Sequence, residues 1–268
     1  MPSTLHHIVG LARATGWLAA LNILARRHLR YRKPVSLKVG RLSTRLEVSP
    51  TDSDLFVLSQ IFGWGEYAAS ENMARQMRRL SAEWAASGIT PVIIDGGANV
   101  GYSPLFFAKE FPEATVIALE PDRPTFERLC RNCQGERRIK PIHGALWHHR
   151  NGVRLQSGHD GSWSHHLDQE GTLVPSTTLR DVMALDPRSR LLILKLDIEG
   201  SEREVVEADP EIVRSAMCIM IEPHDFMRPG LGCLTPLFKA LAGKEIDTVI
   251  SGENLFLFSR ELTAGAGG

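Results

Sequence analysis

Apolar positions change their period along the chain, and those changes divide it. Over residues 5–29, Leu5, Ile8, Val9, Ala12, Leu18, Leu21, Leu24 and Ala25 recur at helical spacing, with a shift of phase near Gly16. The pattern predicts an amphipathic helical extension over residues 1–34. VSLKV and TRLEV then read as short strands, followed by a helix over residues 72–87. Beyond residue 90 the rhythm becomes regular. PVIID, TVIALE, RIKPIHGAL, LLILKLD and AMCIMIE are short apolar runs of the kind that form buried strands. PLFFAKEF, PTFERLCRNC, SEREVVEA and LTPLFKALAG read as helices between or after them. Such alternation implies βαβ units, a parallel sheet and right-handed crossovers. At the end, DTVI and LFLF flank four turn residues, SGEN, and predict an antiparallel hairpin. One α/β domain is therefore expected over residues 35–262, with residues 263–268 as a flexible tail. Residues 147–180, rich in Gly, Ser, His and Trp, interrupt the alternation and read as a loop-rich functional insertion.

Composition narrows the function classes. The chain has 268 residues, with 31 basic and 31 acidic side chains. Without a basic excess, a general nucleic-acid binder is disfavoured, because phosphate neutralisation supplies most of such affinity. Cys130 and Cys133 form a lone C-x-x-C inside a helical stretch, with no second pair. They read as structural thiols in a reducing, cytoplasmic compartment. Arg26, Arg27, Arg30, Arg32 and Lys33 follow the first apolar stretch instead of preceding it, unlike a secretory signal. Arg13, Gly16 and Asn22 interrupt that stretch, whereas a membrane span needs about 20 mostly apolar residues. The extension is expected to dock on its own domain or on a partner subunit, as in a homodimer. The alternative is peripheral contact with an anionic membrane surface.

The sharpest local signal is VIIDGGANVGYS, where Asp95 ends a strand and Gly97 and Gly101 complete D-x-G-x-x-x-G. Glycines here permit a tight turn and close approach of a ligand to the peptide groups. A dinucleotide fingerprint would need glycines where Asn99 and Tyr102 stand, so the loop suits a cofactor with an amino-acid end. Glu120 ends the next strand, where nucleoside-binding folds place a carboxylate for ribose hydroxyls. The GALW loop after the third strand, at Ala145 and Trp147, is the candidate to pack on an adenine.

Together, IIDGGANVGYS, ALEPD, TTLRDV, LKLDIEGSE and IEPH resemble the FkbM family of S-adenosylmethionine-dependent methyltransferases. The K-x-D-x-E-G-x-E string at residues 195–202 is the most family-specific part, and FGWGEYAA resembles the family's segment ahead of the first strand. The resemblance spans roughly residues 50–260. It implies the class I, Rossmann-like α/β fold: a mostly parallel seven-stranded sheet closed by an antiparallel C-terminal hairpin. It also implies S-adenosylmethionine as cofactor and O-methylation of a sugar, glycan or natural-product hydroxyl. Residue by residue, Asp95, Gly97, Asn99 and Gly101 match the cofactor loop, Glu120 the ribose acid, and Asp197 and Glu199 the acidic signature.

Ligands in open α/β sheets sit beyond the carboxyl ends of the strands. The tips of the fourth and fifth strands carry Asp197, Glu199, Glu222 and His224. A hydroxyl acceptor needs a base, and imidazole titrates nearest neutrality, so His224 is the first choice and Asp197 the second. The same four residues could hold a divalent metal, although none is expected. His165 and His166 in the insertion could close over the acceptor. An N-methyltransferase acting on an amine or peptide, or a non-catalytic S-adenosylmethionine-binding module, is the alternative.

Overall fold

The computed structural model describes residues 4–40, 42, 44–50, 53–68, 70–157, 163–164, 171–226 and 229–262. Seven strands form the central sheet: β1 (Thr90–Gly96), β2 (Thr115–Glu120), β3 (Ile139–His143), β4 (Ser189–Leu196), β5 (Cys218–Ile221), β6 (Ile246–Ser251) and β7 (Asn254–Ser259). In space they run β6-β7-β5-β4-β1-β2-β3. The first five are parallel, while β7 is antiparallel to both β5 and β6. Strand order reverses between β1 and β4, so a crevice opens at their carboxyl ends. This is the class I methyltransferase topology.

Burial explains the apolar runs. Both faces of the sheet are covered, so consecutive residues such as Leu191, Leu192, Ile193 and Leu194 on β4 are all buried. Helices α1 (Thr4–Thr15) and α2 (Trp17–His28) lead the chain, followed by α3 (Glu71–Ala86), α4 (Tyr102–Glu110) and α5 (Arg123–Cys133). Ser70 caps α3 by accepting from the Met73 N–H at 3.4 Å, and Asp122 caps α5 by accepting from Thr125 at 3.0 Å. After β4 comes the short helix α6 (Glu202–Ala208).

Several elements depart from the expectations. Gly16, at φ 87°, divides the N-terminal extension into two helices, which is the physical origin of the phase shift. A π-helical turn, Ser59–Trp64, was not anticipated. Its Gly63 lies against α1 so closely that a Cβ there would stand 2.1 Å from the Gly10 carbonyl oxygen. The insertion contains sheet: Val153–Ser157 pairs antiparallel with Trp163–Ser164 and with Thr172–Val174, and Ser176–Thr177 pairs with Ala145–Leu146. In the hairpin, Ser251 and Asn254 belong to the strands, leaving a two-residue turn at Gly252 and Glu253 in place of the four residues expected. All four cysteines are free thiols, three of them buried. No helix among the described residues is long and apolar enough to cross a membrane. His165, His166 and residues 263–268 lie outside the described residues.

Candidate active site

The site grows from the pairing of β1 with β4. Asp95 and Lys195 are register partners on these strands and both are wholly buried. Lys195 Nζ lies 3.1 Å from Asp95 Oδ1 and 3.2 Å from Asp197 Oδ2, and it donates to the Gly97 carbonyl at 3.1 Å. Burial alone would favour the neutral amine, but the charges of Asp95 and Asp197 outweigh it and hold the Lys195 pKa well above the usual lysine range. One ammonium thereby ties the loop after β1 to the loop after β4. Gly97, at φ 76°, meets the second loop directly: a Cβ there would stand 1.9 Å from the Asp197 carbonyl oxygen.

Glu120, at the tip of β2, is turned toward the first loop. Its Oε2 accepts the Asn99 N–H at 3.0 Å and its Oε1 the Asp122 N–H at 2.9 Å. Burial pushes its pKa up to about 7, against the two backbone hydrogen bonds that pull it down. Asn99 is left-handed at φ 49°, and its side chain accepts the Val100 N–H at 2.7 Å. Asparagine tolerates this backbone shape better than most residues.

A cavity of about 900 Å³ opens beside these groups. Gly97, Asn99, Glu120, Asp197, Glu199 and Glu222 line it, with Lys195 at its base. Five residues expected at the site stand behind its wall. Asp95 is covered by its own loop because the sheet register turns it toward Lys195. Gly101 serves packing: at φ 94° it opens α4, and a Cβ would approach the Cys133 sulfur on α5 to 2.9 Å. Ala145 and Trp147 are buried in a small cluster with Val153, Leu155 and Val174 under the insertion, beside a void of only about 20 Å³. His224 is the fifth.

His224 is 3% exposed, and its environment is set by Glu202. The Glu202 carboxylate bonds the ring at Nδ1 (2.8 Å) and also accepts the Ile198 and Gly200 N–H groups, each at 3.3 Å. That is the physical content of the final glutamate in K-x-D-x-E-G-x-E. The other ring nitrogen, Nε2, faces Glu222 at 3.7 Å and Glu199 at 4.0 Å. Burial would lower the histidine pKa, but the Glu202 bond and the surrounding carboxylates raise it to about 9. A raised pKa makes the imidazole hold its proton more tightly than an ordinary histidine, which disfavours the role of proton acceptor expected of it. Glu222 does suit that role, because burial and repulsion from Asp197 push its pKa up to about 7, with His224 opposing. Glu199 is held left-handed at φ 55°, and burial raises its pKa also.

Ligand atoms of Asp197, Glu199 and His224 lie within 4.8 Å of one another, a spacing compatible with a divalent cation. Sequence reasoning missed Glu202, and it also missed the distant contributors to the cavity: Arg27, Tyr67, Arg128 and Glu253. Arg128 pairs with Asp54, and the Tyr102 hydroxyl donates to the Glu47 carbonyl at 3.0 Å, fixing that wall. Glu202 and Tyr67 lie inside family-like motifs and Glu253 in the hairpin turn, but no spacing shows that they meet at the site, which only the fold brings about.

The family model of the methyltransferase FkbM domain matches residues 95–250, more than half of the 268-residue chain. A search of curated proteins returns no match. Among solved structures, the METTL16 MTase domain aligns at TM-score 0.45 and 12% identity, covering 91% of this chain and 79% of that one. Fibrillarin, a pre-rRNA processing protein of Methanococcus jannaschii, aligns at TM-score 0.39 and 13% identity, covering 64% and 66%. The precorrin-6y C5,15-methyltransferase of Geobacter metallireducens aligns at TM-score 0.36 and 11% identity, covering 67% and 84%.

Proposed function

Since the chain belongs to the FkbM methyltransferase family, we propose that it transfers the methyl group of S-adenosylmethionine to a hydroxyl of a sugar, glycan or natural-product acceptor. The observation that carries this reading is the shared wall of the cavity. Glu120 and residues 97–100 of the first loop line it together with Asp197, Glu199 and Glu222. The residues fit the cofactor. Glu120 is nine-tenths buried yet reaches the cavity, and each oxygen keeps a lone pair beyond its single backbone bond, which suits the two ribose hydroxyls. The N–H groups at the start of α4 favour a carboxylate.

Bound S-adenosylmethionine supplies a methyl group already activated on a sulfonium. The chain then has three tasks. Glu120 and the loop hold the adenosyl end, while Asp197 and Glu199 orient the acceptor. Glu222 takes the hydroxyl proton on a carboxylate oxygen as the oxygen attacks, having a pKa close to working pH. His224, fixed by Glu202, keeps its own proton and sets the charge beside Glu222. No metal is invoked in this reading.

An acidic cavity wall, with Glu66 and Glu253 added to the three catalytic carboxylates, favours an amine acceptor as a second reading. The pH profile separates the two: a hydroxyl acceptor gives a rise centred near 7, while an amine gives a rise that follows its own, higher pKa. Calorimetric titration with S-adenosylmethionine, S-adenosylhomocysteine and NAD tests the cofactor. Micromolar binding of the first two is expected, and binding of NAD alone would end the methyltransferase reading.

A further inference from the structure

Helix α2 is apolar on both of its faces. Ala20 and Ile23 are fully buried against the domain. At 3.6 residues per turn, Trp17, Leu18, Leu21, Ala25 and Leu29, with the exposed His28 among them, fall within an arc of about 120° on the opposite side. That outer arc faces solvent: Trp17 is 60% exposed, Leu18 87%, Leu21 58% and Leu29 77%. An apolar stripe of this kind marks an interaction surface. It lies outside the segment matched by the family model, residues 95–250.

Charge identifies what the stripe meets. No acidic residue precedes Glu47, while nine basic residues do, and the remainder of the chain holds 22 basic against 31 acidic residues. The neutral total therefore hides a strongly cationic N-terminal segment on an acidic domain. Exposed Arg30, Arg32 and Lys33 follow the stripe directly, and the Arg26 guanidinium lies 5.0 Å over the half-exposed Tyr31 ring. Aromatic and aliphatic groups on one side, with cations at the rim, match the interface of an anionic bilayer. A symmetric pairing of two copies through this stripe would instead bring two cationic segments together.

We propose that α2 docks the protein on an anionic phospholipid surface. Trp17, Leu18, Leu21 and Leu29 enter the headgroup–acyl boundary, and Arg26, Arg30, Arg32 and Lys33 contact lipid phosphates. The proposal is independent of the reaction assigned above, because none of these residues lines the cavity.

Co-sedimentation of the full chain with vesicles tests it. With phosphatidylcholine vesicles containing about one third phosphatidylglycerol, binding is expected at least roughly tenfold tighter than with phosphatidylcholine alone. Added salt should weaken it. A Leu18→Glu/Leu21→Glu variant should lose vesicle binding while its melting temperature and S-adenosylhomocysteine binding stay unchanged. An Arg30→Glu/Arg32→Glu/Lys33→Glu variant should lose the preference for anionic lipid, which guards against misreading a folding defect. Absence of binding to anionic vesicles at low salt overturns the proposal. So does equal binding by the Leu18→Glu/Leu21→Glu variant. Light scattering supplies a third outcome: a dimer that this variant dissolves, without vesicle binding by the parent chain, assigns the stripe to a second copy and refutes the lipid reading.

Discussion

Glu120→Gln isolates the cost of keeping a carboxylate beneath the cofactor loop. The ordinary glutamate pKa is 4.5, and burial raises that of Glu120 to about 7. Below 4.5 both folded and unfolded chains carry the proton, and the residue costs nothing. As pH rises the unfolded chain ionises first, so stability falls through this window and levels off above 7. At about 1.4 kcal/mol per pH unit the full penalty is about 3 kcal/mol, and about 2.5 kcal/mol of it develops between pH 5 and pH 8. Glutamine does not titrate. Its amide can satisfy only one of the Asn99 and Asp122 N–H groups, but that loss is constant with pH and cancels in the comparison. Urea unfolding of both proteins at pH 5 and pH 8 should therefore show the stability gap moving by about 2.5 kcal/mol in favour of the variant at the higher pH. In the same range, parent-chain affinity for S-adenosylhomocysteine should rise to a plateau above pH 7, because ribose hydroxyls donate to the ionised acid. The variant should bind weakly and without that rise. A gap that moves by less than about 0.5 kcal/mol, or a variant with full affinity, would refute the assigned burial and role.

Other residues give separate tests. Glu222→Gln should lower turnover by about 10²–10⁴-fold and abolish the rise of kcat/KM near pH 7, with cofactor affinity retained; a surviving rise removes Glu222 as the base. Lys195→Met should cost about 3–5 kcal/mol in denaturant unfolding, because it strands Asp95 without its partner, and a loss under about 1 kcal/mol would contradict the isolation of that pair. Gly97→Ala should destabilise by more than about 2 kcal/mol, since a methyl there meets the Asp197 carbonyl and the backbone is left-handed; near-parent stability would place the two loops farther apart. Turnover in excess EDTA should match that of the untreated enzyme, and loss restored by Mg²⁺ or Mn²⁺ would reassign Asp197, Glu199 and His224 to a cation.

The parts of the fold legible in the sequence were those fixed by local pattern. TVIALE is β2 residue for residue, because a strand covered on both faces must be apolar throughout. The small sheet of the insertion escaped notice because the strands paired with Val153–Ser157 are only two and three residues long and carry no period. The Ser59–Trp64 turn escaped because its shape answers to Gly10, far away in sequence. At the site, Glu120 and the glycine loop could be read from spacing alone. The environment of His224 could not, since it is set by Glu202, a residue 22 positions earlier that reaches it only through the fold. Asp95 has the residue type expected of a ligand, but its strand register turns it inward.

The Lys195 ammonium touches the Gly97 carbonyl on one side and the Asp197 carboxylate on the other. Whatever occupies the first loop is thereby linked to the geometry presented to the second ligand. Linkage of this kind runs both ways: if a cofactor tightens acceptor binding by some factor, the acceptor tightens cofactor binding by the same factor. Lys195, wholly buried, thus contacts both loops, and a Lys195 substitution should weaken any such cooperativity between the two ligands.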